Sequence, residues 1–467
     1  MFGDLRSKVT SIVRRGSWPL TYAVAPRILT GIKFLALARM LGPREFGHYS
    51  LAYVCLTVME GVSDFGFRQA IVQNQEDLNR HQLAQVNFVQ LLRGLGLIPF
   101  VVAAAWLGRD YLKSDFLSVV LISLVPVSRG FYGIPVAIAQ RKLDFKGLSG
   151  FEISWRAIDT VLCLAAALIW KDSFAVVIAS ILGEFSGMLV SFLIFPIHMT
   201  FARPTSEISP LVKYGRWIWA QTVFTLLLNQ FDKFYVTGVS GVRTMGGYRA
   251  VNRTMQMIFT DPILTATGIL FPKLSQKFRH DQVKAESFNQ MLLQNGALFL
   301  STVFLAVIGF RSLFIRIFLG AQWVEFEYLV PVFASTMLLS ALIVYMVTWF
   351  RSNGRPQVVT WATTLQVAVF LPTVIWWGKT HGAIGVAVAN NVALWFTALF
   401  MLLAFPERWR MLVSFGIFTL LPVGAFSVLD LQWPRFSVPG MFVFVVIGWY
   451  RWNRTRRGWK SLEGVSV

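Results

Sequence analysis

The sequence predicts an all-α integral membrane protein built from two related bundles of about six helices each plus a C-terminal hairpin, about 14 spans in all. Three observations carry that expectation. Of 467 residues, 55% are hydrophobic and only 14% charged, with a mean hydropathy of +0.58, which is more apolar sequence than a water-soluble core absorbs. The apolar residues fall in runs of roughly 17 to 25, the length that crosses a hydrocarbon layer of about 30 Å. The stretch at 34–73 also returns about 199 residues later, so that Gly42, Arg44, Gly47 and Tyr49 fall on Gly241, Arg243, Gly246 and Tyr248.

In chain order, residues 1–17 form a basic tail, read as cytoplasmic. The run that follows is interrupted by Arg27 and Lys33 and lacks a small-residue cleavage site, so no cleaved leader is expected. Spans near 18–40, 48–72, 84–107, 116–138, 147–170 and 174–199 make a first bundle over 18–200. A polar connector at 201–210 precedes spans near 211–237, 247–271, 287–310, 328–350, 357–378 and 382–405, a second bundle over 211–406. Runs near 411–429 and 436–450 form the added hairpin within 407–450, and 451–467 is a basic tail. An even number of spans per repeat brings the second half into the membrane in the same direction as the first. The expected pseudo-two-fold axis then runs along the membrane normal, with a path between the halves.

The net charge of +20 does not point to nucleic acid, because the cations lie in short clusters between apolar runs, as membrane topology demands. Arg141, Lys142 and Lys146, then Lys273, Lys277, Arg279 and Lys284, then Arg451, Arg454, Arg456, Arg457 and Lys460 all fall on one side of the predicted membrane. That side is the cytoplasm by the positive-inside rule, which places both termini there. The same clusters also suit anionic lipid headgroups.

Chemical motifs are absent. No Walker loop, zinc-protease helix or nucleophile elbow is found, so neither ATP hydrolysis nor covalent catalysis has a seat. Cys55 and Cys163 lie inside apolar runs as small buried hydrophobes, and His48, His81, His198, His280 and His381 are scattered, so no metal site or cofactor is expected. Trp217 with Trp219, and Trp376 with Trp377, sit near span ends, as an interfacial belt requires.

The informative residues are the charges that cost most in hydrocarbon, about 2.5–3.5 kcal/mol each at a span centre. The cations are Arg27, Lys33, Arg93, Arg129, Arg156, Lys233 and Arg253, and the acids are Glu60, Asp64, Glu152, Asp159, Glu184, Asp232 and Asp261. Glu152, Arg156 and Asp159 are spaced to satisfy one another on one helix, and Asp64 with Arg68 forms a similar pair. Glu60 is then left beside a like charge. It is either a protonatable coupling group, together with Asp64, Asp232 and Asp261 as candidate counter-charges, or the partner of a cation on another span. Arg27, Lys33 and Arg253 have no acid within a turn on their own helices, and Arg249 adds a cation to the face of Arg253. With Arg93, Arg129 and Lys233 they could line a cationic cavity suited to phosphate. Snorkelling to a headgroup is the competing account for each singly. Pro262, directly after Asp261, marks either a hinge or a kink tolerated by packing.

The tract ARMLGPREFGHYSLA, with Leu41, Gly42, Pro43, Phe46, Gly47 and Tyr49, followed by Asp64, Phe65, Gly66 and Phe67, resembles the polysaccharide transporter family, the Wzx-like lipid-linked oligosaccharide flippases of the MOP superfamily. The basic loop QRKLDFK and the turn ending in Gly246, Gly247 and Tyr248 are similar too. The resemblance implies a non-enzymatic inner-membrane transporter of undecaprenyl-pyrophosphate-linked oligosaccharide for surface or exopolysaccharide assembly. It would work by alternating access, among membrane lipids and alongside a polysaccharide polymerase and export machinery. It further implies pyrophosphate contacts from basic residues on the first and eighth spans, where Arg27 and Arg253 lie, and gating roles for the turns of Arg44 and Arg243. Val242 and Thr244 stand where the first turn has Pro43 and Glu45, so the two turns need not act alike. A cation-coupled multidrug exporter of the same superfamily would need an acidic cavity. A membrane glycan polymerase would need a long or acidic external loop, and the first external loop offers only Arg44 and Glu45.

Overall fold

A computed structural model of the chain describes residues 2–73, 78–195, 200–280, 296 and 299–404. Among these residues the regular structure is helical, with no strand. Among the described residues seven helices are long and apolar enough to cross a membrane, or eight if a bent pair counts as one span, so the protein is a multi-pass membrane protein. The expected hairpin at 407–450, the tail at 451–467 and residues 281–295 lie outside the described residues.

Helix α1 (Phe2–Ser63) absorbs the first two expected spans. Its apolar part, Trp18–Ser63, has 46 residues, about 70 Å at 1.5 Å per residue, twice what a bilayer needs. The helix is broken by a kink at Gly42, whose φ of 75° and ψ of 171° lie in a region open almost only to glycine. Helix α2 (Phe67–Gln73) follows a break at Gly66. Helix α3 (Arg80–Leu107) starts at a capping box in which Asn79 Oδ1 accepts from the Gln82 amide at 2.7 Å and Gln82 Oε1 accepts from the Asn79 amide at 3.1 Å. The short α4 (Arg109–Leu112), α5 (Phe116–Ile122) and α6 (Val125–Arg141) follow. Helices α7 (Phe145–Trp170) and α8 (Ser173–Ile194) are capped by Asp144 and Asp172 and pack on each other.

Helix α9 (Ser209–His280) repeats the plan of α1: it absorbs the seventh and eighth expected spans and breaks at Gly241, with φ 81° and ψ 168°. Beyond it, α10 (Phe299–Gly309) meets α11 (Arg311–Phe318) at 89°. A 3-10 stretch, Ala321–Leu329, then buries Trp323 and leads into α12 (Val330–Ser352). Helix α13 (Pro356–Leu403) holds the two expected spans at 357–405 and breaks at Gly382 (φ 60°, ψ −139°).

The chain divides into two compact units, residues up to Arg249 and residues from Ala250 onward. The first is held by an aromatic cluster of Phe151, Trp155 and Phe195 and by an aliphatic one of Ile71, Val86 and Ile134. In the second, α12 is buried on most sides through Phe333, Leu338, Trp349 and Phe350. Asn391 of α13 donates to Ser335 Oγ at 3.0 Å and Thr336 Oγ1 at 3.2 Å, a polar tie of the kind that locks helices where lipid offers no partner.

Candidate functional site

The intramembrane charges of the first unit are gathered into pairs. Arg129 of α6 binds two carboxylates at once: Nη1 reaches Glu60 Oε2 of α1 at 2.5 Å, while Nε and Nη2 clasp Glu184 of α8, the former at 3.1 Å. Tyr132, one turn on, donates to Glu184 Oε2 at 2.9 Å. Beside this network Arg93 Nη1 of α3 donates to Asp64 Oδ1 at 3.3 Å. Four helices are thereby tied through charges that would each be costly alone. Two atoms of the cluster, Glu60 Oε1 and Arg93 Nε, are buried with no hydrogen-bond partner among the described residues.

Lys33 is buried and lies on Asp159 of α7, its Nζ 2.8 Å from both carboxylate oxygens. Gly183 of α8 makes room for that pair, since a Cβ there would meet the Asp159 side chain at 2.6 Å. Arg156 turns to Glu152 at 2.9 Å and to Thr30 Oγ1 at 3.1 Å.

Three expectations are corrected here. Lys33 is not an unpaired cation, because α7 supplies its carboxylate. Asp159 does not complete a triad with Glu152 and Arg156. Asp64 does not pair with Arg68, whose Nε donates to Gln140 Oε1 at 3.0 Å. The physical reason is common to all three. Local spacing ranks neighbours on one helix, whereas a buried charge takes whichever partner the tertiary packing delivers without exposing it to lipid. Of the two accounts left open for Glu60, the interhelical ion pair is the one observed.

In α9, Asp232 is buried and accepts from Tyr248 Oη at 2.9 Å and from Lys233 Nζ at 3.1 Å. Arg253 is also corrected: its Nη2 lies 3.1 Å from Asp261 Oδ2, two turns along the same helix and just before Pro262. Arg249 donates through Nη1 to the Ser50 carbonyl at 2.6 Å and lies over the Tyr53 ring at 5.7 Å. Arg27 is exposed on α1, and Arg44 and Arg243 are exposed in their turns.

The repeat is legible in contacts as well as in residues. A Cβ on Gly47 would overlap the Val242 carbonyl oxygen, and a Cβ on Gly246 would overlap the Pro43 carbonyl oxygen. These are reciprocal contacts between equivalent positions of the two turns. Outside the spans, Tyr111 Oη donates to the Phe234 carbonyl at 2.6 Å, and burial raises that phenol above its ordinary pKa.

Residues 36–328 match the family model described as polysaccharide biosynthesis protein. The chain belongs to that family. Among curated relatives it is 22% identical over 395 residues to the lipopolysaccharide biosynthesis protein WzxC of Escherichia coli (strain K12), covering 78% of this chain and 75% of the relative. It is 21% identical over 383 residues to the succinoglycan biosynthesis transport protein ExoT of Rhizobium meliloti (strain 1021), again over 78% and 75%. The fold is similar to that of the lipid II flippase MurJ in an inward closed conformation, with a TM-score of 0.71 and 14% identity over 93% of this chain and 99% of that one. Membership of the polysaccharide biosynthesis family agrees with the tract at 41–49 that suggested it, which lies inside the matched residues.

Proposed function

We propose that this chain is a flippase, not an enzyme, that carries polyprenyl-pyrophosphate-linked oligosaccharide repeat units across the bacterial inner membrane for polysaccharide assembly. The family match over residues 36–328 carries the reading, supported by the transporter names of its relatives and a fold like that of a lipid II flippase. Both termini are cytoplasmic in this reading, from the bias of Lys and Arg. The six-plus-six organisation with a pseudo-two-fold axis along the membrane normal accompanies it, and transport proceeds by alternating access.

The paired charges revise the mechanism. Lys33, Arg93, Arg129 and Lys233 hold carboxylates within the protein and serve the scaffold, and we assign the phosphate contacts to Arg27, exposed on α1, and to Arg253. Arg253 can exchange Asp261 for a diphosphate, since a guanidinium binds either oxyanion bidentately. Glu60, Asp64, Asp232 and Asp261 remain the candidate coupling groups, and Glu60 is favoured by its unpartnered buried oxygen. A polysaccharide polymerase or export machinery would act on what is delivered.

Deleting the gene for this chain tests the reading: surface glycan is expected to disappear while polyprenyl-linked repeat units accumulate on the cytoplasmic leaflet. Normal surface glycan with no such accumulation overturns it. Arg27→Ala and Arg253→Ala are expected to reproduce the deletion at normal protein level.

A further inference from the structure

Helices α1 and α7 pack in a fixed register, in which Lys33 meets Asp159 and Thr30 meets Arg156, each pair 126 residues apart. Arg156 differs from the other paired cations of the first unit. Lys33, Arg93 and Arg129 each reach a carboxylate on another segment, whereas the carboxylate of Arg156 is Glu152 on its own helix, so the pair ties nothing together. Its side chain is 30% exposed, against 8% for Lys33. Nη2 makes no bond among the described residues. The Trp155 ring, 4.6 Å from the guanidinium carbon, and the Thr30 hydroxyl hold the plane of the group without neutralising it. A cation within a span costs far more than an i, i+4 pair returns, so the scaffold alone gives no reason to keep this one.

Thr30 Oγ1 donates to the Pro26 carbonyl at 2.8 Å and accepts from Arg156 Nη1 at 3.1 Å, which sets the guanidinium against α1. Arg27, exposed, lies three residues before Thr30, the spacing that puts side chains on one helical face. Two guanidiniums and the Glu152 carboxylate therefore share one level of the α1–α7 seam. Further along the same helices Ile32 and Ile158 are exposed, so apolar surface begins where the cations end. That order suits a lipid with a compact, multiply charged head and an isoprenoid tail.

We infer that Arg156 is a second binding residue for the cargo diphosphate, beside Arg27 at the α1–α7 seam, and that Glu152 holds its place until the cargo arrives. The inference rests on the flippase reading above for the identity of that lipid. A diphosphate offers the guanidinium fork more oxygens and more charge than one carboxylate, so Arg156 exchanges Glu152 for it. Glu152 thereby competes with the ligand. Removing its charge tightens binding, an effect that a purely structural ion pair does not produce.

Binding of tritiated farnesyl diphosphate to the full chain in nanodiscs of neutral phosphatidylcholine reads the site. Arg156→Gln is expected to raise Kd about tenfold and Arg156→Lys roughly threefold, since Lys keeps the charge but not the fork. Glu152→Gln should lower Kd about threefold. Melting temperatures of the three variants should stay within about 2 °C of the parent, because the pair joins no two helices. Inorganic pyrophosphate should compete only at higher concentration, for want of the tail. An unchanged Kd in Arg156→Gln, a raised Kd in Glu152→Gln, or no saturable binding by the parent overturns the inference. Competition by phosphatidylglycerol or pyrophosphate as strong as that of unlabelled farnesyl diphosphate also overturns it, since the seam would then take any anion. Binding is read without transport. Failure of translocation with this pattern intact removes the flippase reading alone, and normal export with a Kd indifferent to Arg156 removes this inference alone.

Discussion

Helices α1 and α9 carry one backbone plan and two different electrostatic ones. Gly42 and Gly241 share φ and ψ within a few degrees, Gly47 and Gly246 make reciprocal contacts, and Tyr49 and Tyr248 are both buried. At the position of Lys33, however, the second copy has Asp232, and at Ser50 it has Arg249. Glu60, hub of the ionic network, corresponds to Phe259, which is fully buried. The turn geometry of a duplicated bundle is hard to change, because positive-φ glycines and close backbone contacts admit few substitutes. Charges can be moved to one copy provided each keeps a partner. In this chain Lys33–Asp159 and Arg129 with Glu60 and Glu184 join different helices of the first copy, while Asp232–Lys233 and Arg253–Asp261 of α9 lie within one helix.

Breaking the ion pairs should separate the copies most. Lys33→Ala leaves Asp159 buried without its cation and is expected to cost about 3–5 kcal/mol, read as thermal stability of the detergent-solubilised protein, with Lys33→Met/Asp159→Leu recovering most of it. A loss under about 1 kcal/mol would mean that the pair is water-filled rather than buried. Next come the kinks. Gly42→Ala and Gly241→Ala should each cost about 1–3 kcal/mol and match each other, since both force a side chain into the same restricted region. Unequal losses would break the backbone half of the comparison. Tyr248→Phe removes a donor to a buried carboxylate and should cost about 1–3 kcal/mol, more than Tyr49→Phe, because Asp159 rather than Tyr49 satisfies the charge of Lys33. Arg156→Gln is expected to be smallest, about 0.3–0.5 kcal/mol, as its pair with Glu152 is a single-helix i, i+4 contact.

The sequence revealed the all-helical membrane class, the turns at Gly42 and Gly241, and the family. Each of these depends on apolar run length or on glycines in fixed register, and both are local signals. The partners of the buried charges were not legible. Arg129 joins residues 60 and 184, and Lys33 reaches residue 159, across separations that helical spacing does not rank. The 199-residue offset was the one signal that could have found a distant contact, since Ser50–Arg249 and Pro43–Gly246 lie on or beside it. The abrupt α10–α11 bend and the 3-10 stretch before α12 also escaped, because both fall in or at the edge of the connector between two expected spans.

Reconstitution tests the central claim most directly. In proteoliposomes holding this chain and a radiolabelled polyprenyl-pyrophosphate oligosaccharide, with a cationic dye in parallel, the labelled lipid should reach the opposite leaflet while the dye is not moved. Arg27→Ala should slow the lipid. Dye transport without lipid translocation would contradict the account.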